Sequence, residues 1–384
     1  MRTVLHSARL VTGGRIVDDG WVLFDGGVVA ETGAGTGWRD AAAGTIVDAT
    51  EVAGAGALLT PGFIDIHGHG GAGFSYDDGP DAIRAARALH RAHGTTRAVI
   101  SLVTAPLDDL ERRVRMVADL TETDPDVLGS HLEGPFLDAG HRGAHRAEFL
   151  RNPDPAALAA LLTAGRGTLR QVTLAPELAG GMEAIGLVTR AGAAAAVGHT
   201  DADAGRSVAA FDAGATMLTH AFNAMRGLHH RAPGPVGAAA NDARVVLEVI
   251  GDGVHVDARI IRMLFASAPG RIALITDAMA AAGAGDGHYS LGDLAVDVVD
   301  GVARLHGGGS IAGSTSTQDA ALRLVVAAGV PLEEAVAALT STPAGAIGMS
   351  DRLGSLAEGF SADAVLLTAG LEVCGVWTAG APLV

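Results

Sequence analysis

The sequence predicts an α/β fold: a (β/α)8 TIM-type barrel carrying a small β-sandwich domain built from both chain ends. Three observations predict it. Short apolar runs alternate with amphipathic helical stretches through the middle of the chain, the pattern of a parallel sheet with crossover helices. Eight such runs can be found, the number that closes a barrel. Both ends are rich instead in valine, glycine and turn signals, the pattern of short strands.

Taken in order, residues 1–55 hold TVLHSARLV, GWVLFDGGVVAETG and GTIVDATEVAGAG, which read as short antiparallel strands of the small domain. The barrel is expected over 56–353. Its strands are FIDIH (63–67), RAVISLV (97–103), VLGSHLE (127–133), LRQVTLAPE (169–177), AAAVGH (194–199), ATMLTH (215–220), RVVLEVI (244–250) and RIALITD (271–277). Segments such as PDAIRAARALHRAHG and PLDDLERRVRMVADL supply the helices between them. The run AGAAAAVGH favours helix by propensity, and only its neighbours make it a strand. Residues 285–309 break the alternation as a strand-rich insertion, and a helix follows from about Thr317. From 354 to 384 short strands return to complete the small domain.

Composition narrows the function. The formal charge of −16, with no basic run, argues against nucleic acid and anionic membranes as partners. No apolar run approaches membrane-spanning length, and no basic, then apolar, leader opens the sequence; a cytoplasmic protein is expected. One cysteine, Cys374, excludes an internal disulfide and a thiolate zinc cluster. All 27 basic residues are arginine. Without lysine there is no Schiff base, no phosphate-loop lysine and no carboxylated lysine bridging two metals.

Chemically capable side chains cluster at the C-terminal ends of the expected strands. His67 and His69 end the first, Glu133 the third, His199 the fifth and His220 the sixth; His255 follows the seventh and Asp277 ends the eighth. In a strand, residues i and i+2 share a face, so the two histidines of FIDIHGHG point the same way. Strand ends of a barrel converge on one mouth, where its active sites lie. Four histidines, a glutamate and an aspartate are an N/O ligand set for a divalent ion: zinc first, with iron, manganese or cobalt open. With no lysine to carboxylate, Glu133 is the natural bridge between two ions. Asp277 suits a proton acceptor and donor, and His255 could polarise a carbonyl or hold an oxyanion. Metal-assisted hydrolysis of an amide or ester follows. The loop after His220, HAFNAMRGLHHRAPG, offers backbone N–H groups at NAM and cations at Arg226 and Arg231 that suit a phosphate. His90, His93, His141, His229 and His230 read as structural or surface residues.

These motifs also resemble a known family. PGFIDIHGHG, SHLEGPFLD, RGAH, VGHTDAD, THAFNAM, HHRAPG, GDGVHVD, LITDAM and IAGS are similar, in order, to those of N-acetylglucosamine-6-phosphate deacetylases of the amidohydrolase superfamily. The resemblance implies that Glu133, His199 and His220 hold the ion common to all members. His67 and His69 match the position where some relatives have lost a second ion, so one or two ions per subunit are implied. Asp277 matches the catalytic acid/base, which also reaches the second metal, and His255 the histidine near the acetamide. Asn223 and Ala224 match backbone phosphate contacts, and Arg231 a phosphate-binding arginine that reaches across a homodimer or acts within its own subunit. Ala144 and His145, with Ile311, Ala312 and Gly313, match other substrate-lining positions; the last motif usually begins with leucine, where this chain has Ile311.

The implied reaction is hydrolysis of the acetamide of N-acetylglucosamine 6-phosphate, giving glucosamine 6-phosphate and acetate in amino-sugar catabolism. A deacetylase of another N-acetylated sugar or sugar phosphate, such as N-acetylgalactosamine 6-phosphate, is the alternative. A cyclic amidase is disfavoured by the missing lysine. A binding protein on a dead barrel would need a catalytic residue to be missing, and none is.

Overall fold

The computed structural model of the chain describes residues 2–41, 43–307 and 309–383. Its centre is one parallel sheet whose eight strands follow chain order. We label them β1 (Phe63–Asp65), β2 (Thr95–Val103), β3 (Val127–Glu133), β4 (Leu169–Leu174), β5 (Ala194–Val197), β6 (Met217–Leu218), β7 (Val246–Ile250) and β8 (Ile272–Ile275). Each expected run thus contains a strand, and the alanine run of β5 takes its place between β4 and β6. Between β8 and β1 side chains supply the join. Gln318 Nε2 donates to the carbonyls of both Ile64 and Leu274, and Thr276 Oγ1 donates to Asp65 Oδ2 at 2.6 Å.

Alternation along the strands sorts residues to two sides of the barrel wall. On β7, Leu247 and Val249 pack into the layer between strands and helices. Ile250 faces the interior with Ile64, Ile66, Val99, Leu128, Ala196, Met217, Ala273 and Ile275. The helices cover the wall as their apolar spacing requires: Pro80–Ala92 buries Ile83 and Ala86, and Leu107–Thr123 buries Leu110, Val114 and Val117.

The chain ends meet in a second sheet. Thr3–Thr12, Arg15–Asp25 and Val28–Ala34 pair antiparallel, and Ala364–Leu367 and Val373–Thr378 join on the far side through Leu58–Pro61. The N-terminal strands are not all antiparallel. Thr45–Asp48 and Leu58–Pro61 run parallel to Thr3–Thr12, because the short helix Ala49–Ala53 between them lets the chain return in the same direction. Leu5, Val22 and Phe24 from one end and Leu366 and Trp377 from the other share one core, the β-sandwich expected from the termini.

The insertion forms a three-stranded antiparallel sheet, Gly287–Leu291, Leu294–Val299 and Val302–Leu305. Its inner face (Leu291, Val296, Val298, Ala303) packs on Met279, Ala281, Val103 and Ala312, seating it over the C-terminal mouth of the barrel. The next helix is Gln318–Ala327, with Thr317 as its N-cap.

Candidate metal centre

Four of the six candidate ligands obey one local rule. β1 stops at Asp65, β5 at Val197, β6 at Leu218 and β8 at Ile275, and His67, His199, His220 and Asp277 each lie two residues further on. Three of them leave the strand through positive φ: 47° at His199, 26° at His220 and 48° at Asp277. Side-chain-bearing residues rarely adopt that region, at a cost of about 1–3 kcal/mol each, and such strain gathers at functional sites. The turns swing the side chains inward over the barrel axis. Gly198 permits the turn at His199, since a Cβ there would lie 2.7 Å from Thr219 and 2.8 Å from Thr173. Glu133 is the last residue of β3 itself.

His67 and His69 do not share a strand face, because β1 ends before them. Their convergence comes from hydrogen bonds to the loop. Asp65 Oδ1 accepts from His67 N, Ser101 Oγ from Gly68 N and the Ala278 carbonyl from His69 N. The rings still meet, Nε2 to Nε2, at 3.3 Å.

Everything closes on Glu133. Its Oε1 lies 3.1 Å from His199 Nε2, 3.1 Å from His220 Nε2 and 3.3 Å from His67 Nε2, and its Oε2 lies 3.2 Å from His69 Nε2. His199 and His220 are 3.0 Å apart through their Nε2 atoms, and Asp277 Oδ1 is 3.2 Å from His69 Nε2. Donors held at about 2.0–2.1 Å around a tetrahedral ion sit roughly 3.3 Å from one another, so spacing and donor chemistry both fit divalent metal. The atoms fall into two groups sharing Glu133. One is His199 and His220 with Oε1; the other is His67, His69 and Asp277. All six residues are buried.

The electrostatics favour positive charge here. Burial alone would depress His69, but its hydrogen bonds to the carboxylates of Asp277 and Glu133 outweigh it and lift it to about 9. Burial likewise pushes Glu133 up, yet the surrounding imidazoles, His67 foremost, hold it well below the usual carboxylate range. A cation in this ring would meet carboxylates already ionised.

A cavity of about 370 Å³ opens above the cluster. Of the expected substrate-lining residues, Ala144, His145, Asn223, Ala224, His255, Ile311 and Gly313 line it. Ala312 does not; it is fully buried against the insertion. Arg231 lies outside the cavity, in a separate hollow with Arg226 and His229. Arg226 is held bidentately by Asp201 at 2.7 and 2.8 Å, so its charge is already matched.

His255 is fixed by Asp252, whose carboxylate accepts from Nδ1 at 2.7 Å and from the backbone N–H at 2.9 Å. Burial depresses its pKa, but Asp252 outweighs that and leaves it above the ordinary value. His145 Nε2 approaches Glu133 Oε2 at 3.4 Å, and burial pulls it down to about 4.

Other contributors were missed from sequence. Asp252 was legible three residues before His255. Leu291 and Ser310 also line the cavity, but no spacing rule ties an insertion to a barrel mouth. His141, read as structural, lines the cavity too, and its carbonyl accepts from His199 Nδ1 at 2.9 Å. Glu248 accepts from His67 Nδ1 at 3.0 Å; its signal was a lone carboxylate inside the apolar run VVLEVI. A larger hollow of about 630 Å³ lies at the other end of the barrel. Its charged lining residue, Arg244, is tied to Asp212 and Asp242.

Residues 58–382 match the model of the Amidohydrolase family. An N-acetylgalactosamine-6-phosphate deacetylase of Escherichia coli O157:H7 is 41% identical over 84% of this chain and 87% of its own. An N-acetylglucosamine-6-phosphate deacetylase of Bos taurus is 33% identical over 96% and 90%. A mutant N-acetyl-D-glucosamine-6-phosphate deacetylase of Mycobacterium smegmatis, solved in complex with N-acetyl-D-glucosamine-6-phosphate, superposes with a TM-score of 0.94 at 42% identity, over 100% of this chain and 99% of that one.

Proposed function

Because the chain belongs to the amidohydrolase family, we propose that it hydrolyses the acetamide of N-acetylglucosamine 6-phosphate to acetate and glucosamine 6-phosphate. The observation that carries this is the buried Glu133-centred donor cluster with Asp277 at the floor of the cavity, in a chain whose relatives are deacetylases of phosphorylated amino sugars.

His199 and His220 with Glu133 would hold one divalent ion, and His67, His69 and Asp277 a second bridged by Glu133, zinc being the first choice for this N/O set. A bound divalent ion lowers the pKa of a water towards neutrality and polarises a carbonyl. Asp277 takes the proton of the attacking water at its carboxylate and delivers it to the departing amine nitrogen. His255, with Asp252 accepting from its Nδ1–H, is cationic over a wider pH range than a free imidazole, so Nε2–H can donate to the oxyanion formed from the acetyl carbonyl. Leu291 of the insertion, with Ser310 and Ile311 just after it, shapes the wall of the cavity.

Asn223 and Ala224 offer backbone contacts for the phosphate. Arg231 does not reach the cavity of its own chain, so its charge would serve the phosphate in a homodimer that sets one copy's loop against the other's mouth. A phosphorylated substrate suits a cytoplasmic setting, and no helix among the described residues is long and apolar enough to cross a membrane.

The second reading, N-acetylgalactosamine 6-phosphate as substrate, has the 41% identical relative in its favour. The test is acetate release by metal-loaded protein from both phosphorylated epimers and from unphosphorylated N-acetylglucosamine. Turnover of N-acetylglucosamine 6-phosphate at a kcat/KM at least tenfold above the others bears the proposal out. Preference for the galactosamine epimer selects the second reading, and equal use of the unphosphorylated sugar defeats the phosphate assignment.

A further inference from the structure

Beneath the candidate metal centre the barrel interior stops being apolar. Ser101, His131, Gln171, Thr173 and Glu248 form a fully buried polar layer drawn from β2, β3, β4 and β7. His131 is spanned by Ser101 Oγ at 2.9 Å and Thr173 Oγ1 at 2.8 Å. Glu248 is the charged member. It interrupts the otherwise aliphatic strand VLEVI, points inward with Ile250, and has 0% of its side chain exposed.

An ionised carboxylate there is costly unless it is paired and hydrogen-bonded. Glu248 Oε1 accepts from Gln171 Nε2 at 2.7 Å, and Oε2 accepts from His67 Nδ1 at 3.0 Å and from the backbone N–H of His220 at 3.3 Å. Among the described residues, His67 is its one ion-pair partner. The bond fixes a tautomer: with Nδ1–H donated to Glu248, Nε2 carries the lone pair, and Nε2 is the atom aimed at Glu133 and His69. Among the described residues, the other histidines of the cluster have no carboxylate behind them. His199 Nδ1 rests on the His141 carbonyl, while His69 Nδ1 and His220 Nδ1 have no hydrogen-bond partner.

We infer that Glu248 is a positioning residue that makes His67 a strong Nε2 ligand, and so sets the affinity of the ion held by His67 and His69 more than that of the ion held by His199 and His220. A carboxylate behind a ligand imidazole orients the ring and raises its basicity, and loss of such a partner costs about 10–100-fold in metal affinity. The inference rests on the two-ion reading above.

The test is zinc stoichiometry by elemental analysis and stepwise affinity by competition with a chromophoric chelator, on the full-length wild type and E248Q. The amide of E248Q keeps the shape, and a flip of the Gln171 amide, whose Oε1 has no partner among the described residues, turns that oxygen to accept from the new NH2. Two zinc ions in the wild type, with one of the two weakened at least tenfold in E248Q and the other unchanged, is the expected result. A purely structural role for Glu248 would instead lower both affinities together, and that outcome overturns the inference, as do two unchanged affinities. A single zinc in the wild type overturns the two-ion reading and the inference with it. Should E248Q not fold, E248L, matched to the aliphatic residues around it, gives the same comparison.

Discussion

At the scale of single residues, the division of labour proposed for Asp277 and His255 is open to direct attack. Asp277→Asn keeps an oxygen near His69 but removes the proton acceptor, so kcat should fall by about 10²–10⁴-fold, the usual worth of a general acid or base. Metal content, set mainly by Glu133 and the histidines, should persist. Near-normal turnover in that variant would remove Asp277 from the mechanism. His255 gives a pH prediction. Asp252 holds its pKa above the ordinary value, and only the protonated ring donates through both nitrogens, so activity should decline as pH rises through that pKa. Asp252→Asn withdraws the raising charge, leaving burial to depress the group. The alkaline limb of kcat should therefore move to lower pH; a limb that stays put would assign it to another group. Residues of this kind were the most legible in the sequence. Histidines and acids just past apolar runs announce a site because strand ends converge, and Glu133, His199, His220 and Asp277 do lie there. The sequence could not show that β1 stops at Asp65, since a β-pattern does not reveal where side-chain bonds to Asp65 and Ser101 take over from the ladder.

At the scale of elements, the helices hold the barrel through contacts that no periodicity displays. His93 caps the helix Pro80–Ala92, and its Nδ1 donates at 3.1 Å to Asp319 in the first turn of Gln318–Ala327. Burial raises the Asp319 pKa, but His93 and Thr317 outweigh this and bring it down to about 2; His93 in turn is raised by Asp319. A lowered carboxylate contributes stability above its unfolded pKa of about 3.9, and a raised histidine contributes below about 6.5. Both terms are present between roughly pH 4 and 6.5, and the histidine term is lost as pH rises through its folded pKa. Asp319→Asn should therefore destabilise the protein more at pH 5.5 than at pH 9. The difference should be about 0.5–1 kcal/mol, since His93 is partly exposed, and chemical denaturation at the two pH values measures it. An equal loss at both would show that Asp319 acts through Thr317 and Arg323 alone. The insertion is the element least readable in advance. Its strands follow from alternation, but Leu291 reaches the cavity because the sheet's inner face seats on Met279 and Val103, a contact nearly 200 residues away in sequence for Val103.

At the scale of the whole molecule, the question is what couples a barrel to a sandwich built from the two chain ends. Composition marks the ends as β-rich, yet nothing local says that Leu58–Pro61 bridges the N-terminal and C-terminal strands, because that pairing depends on tertiary register. The coupling centres on Arg97 of β2. Its guanidinium clasps Asp363 bidentately, Nε to Oδ2 at 2.6 Å and Nη2 to Oδ1 at 2.9 Å, and reaches Ser361 Oγ at 3.0 Å. Asp363 Oδ1 also accepts from Ala379 N at 2.8 Å, so one carboxylate ties the barrel wall to two C-terminal segments. Both charges are buried. Removing one partner of such a pair strands the other without water, at about 3–5 kcal/mol, whereas replacing both with apolar groups is often close to neutral. Asp363→Ala should therefore lower the denaturation midpoint sharply, and Arg97→Met with Asp363→Leu should recover most of it. KM at low temperature should stay near the wild-type value in the folded fraction, because the pair lies outside the residues lining the cavity above Glu133. A double variant no more stable than Asp363→Ala would mean that the clasp is needed for its specific geometry and not merely to balance its charges.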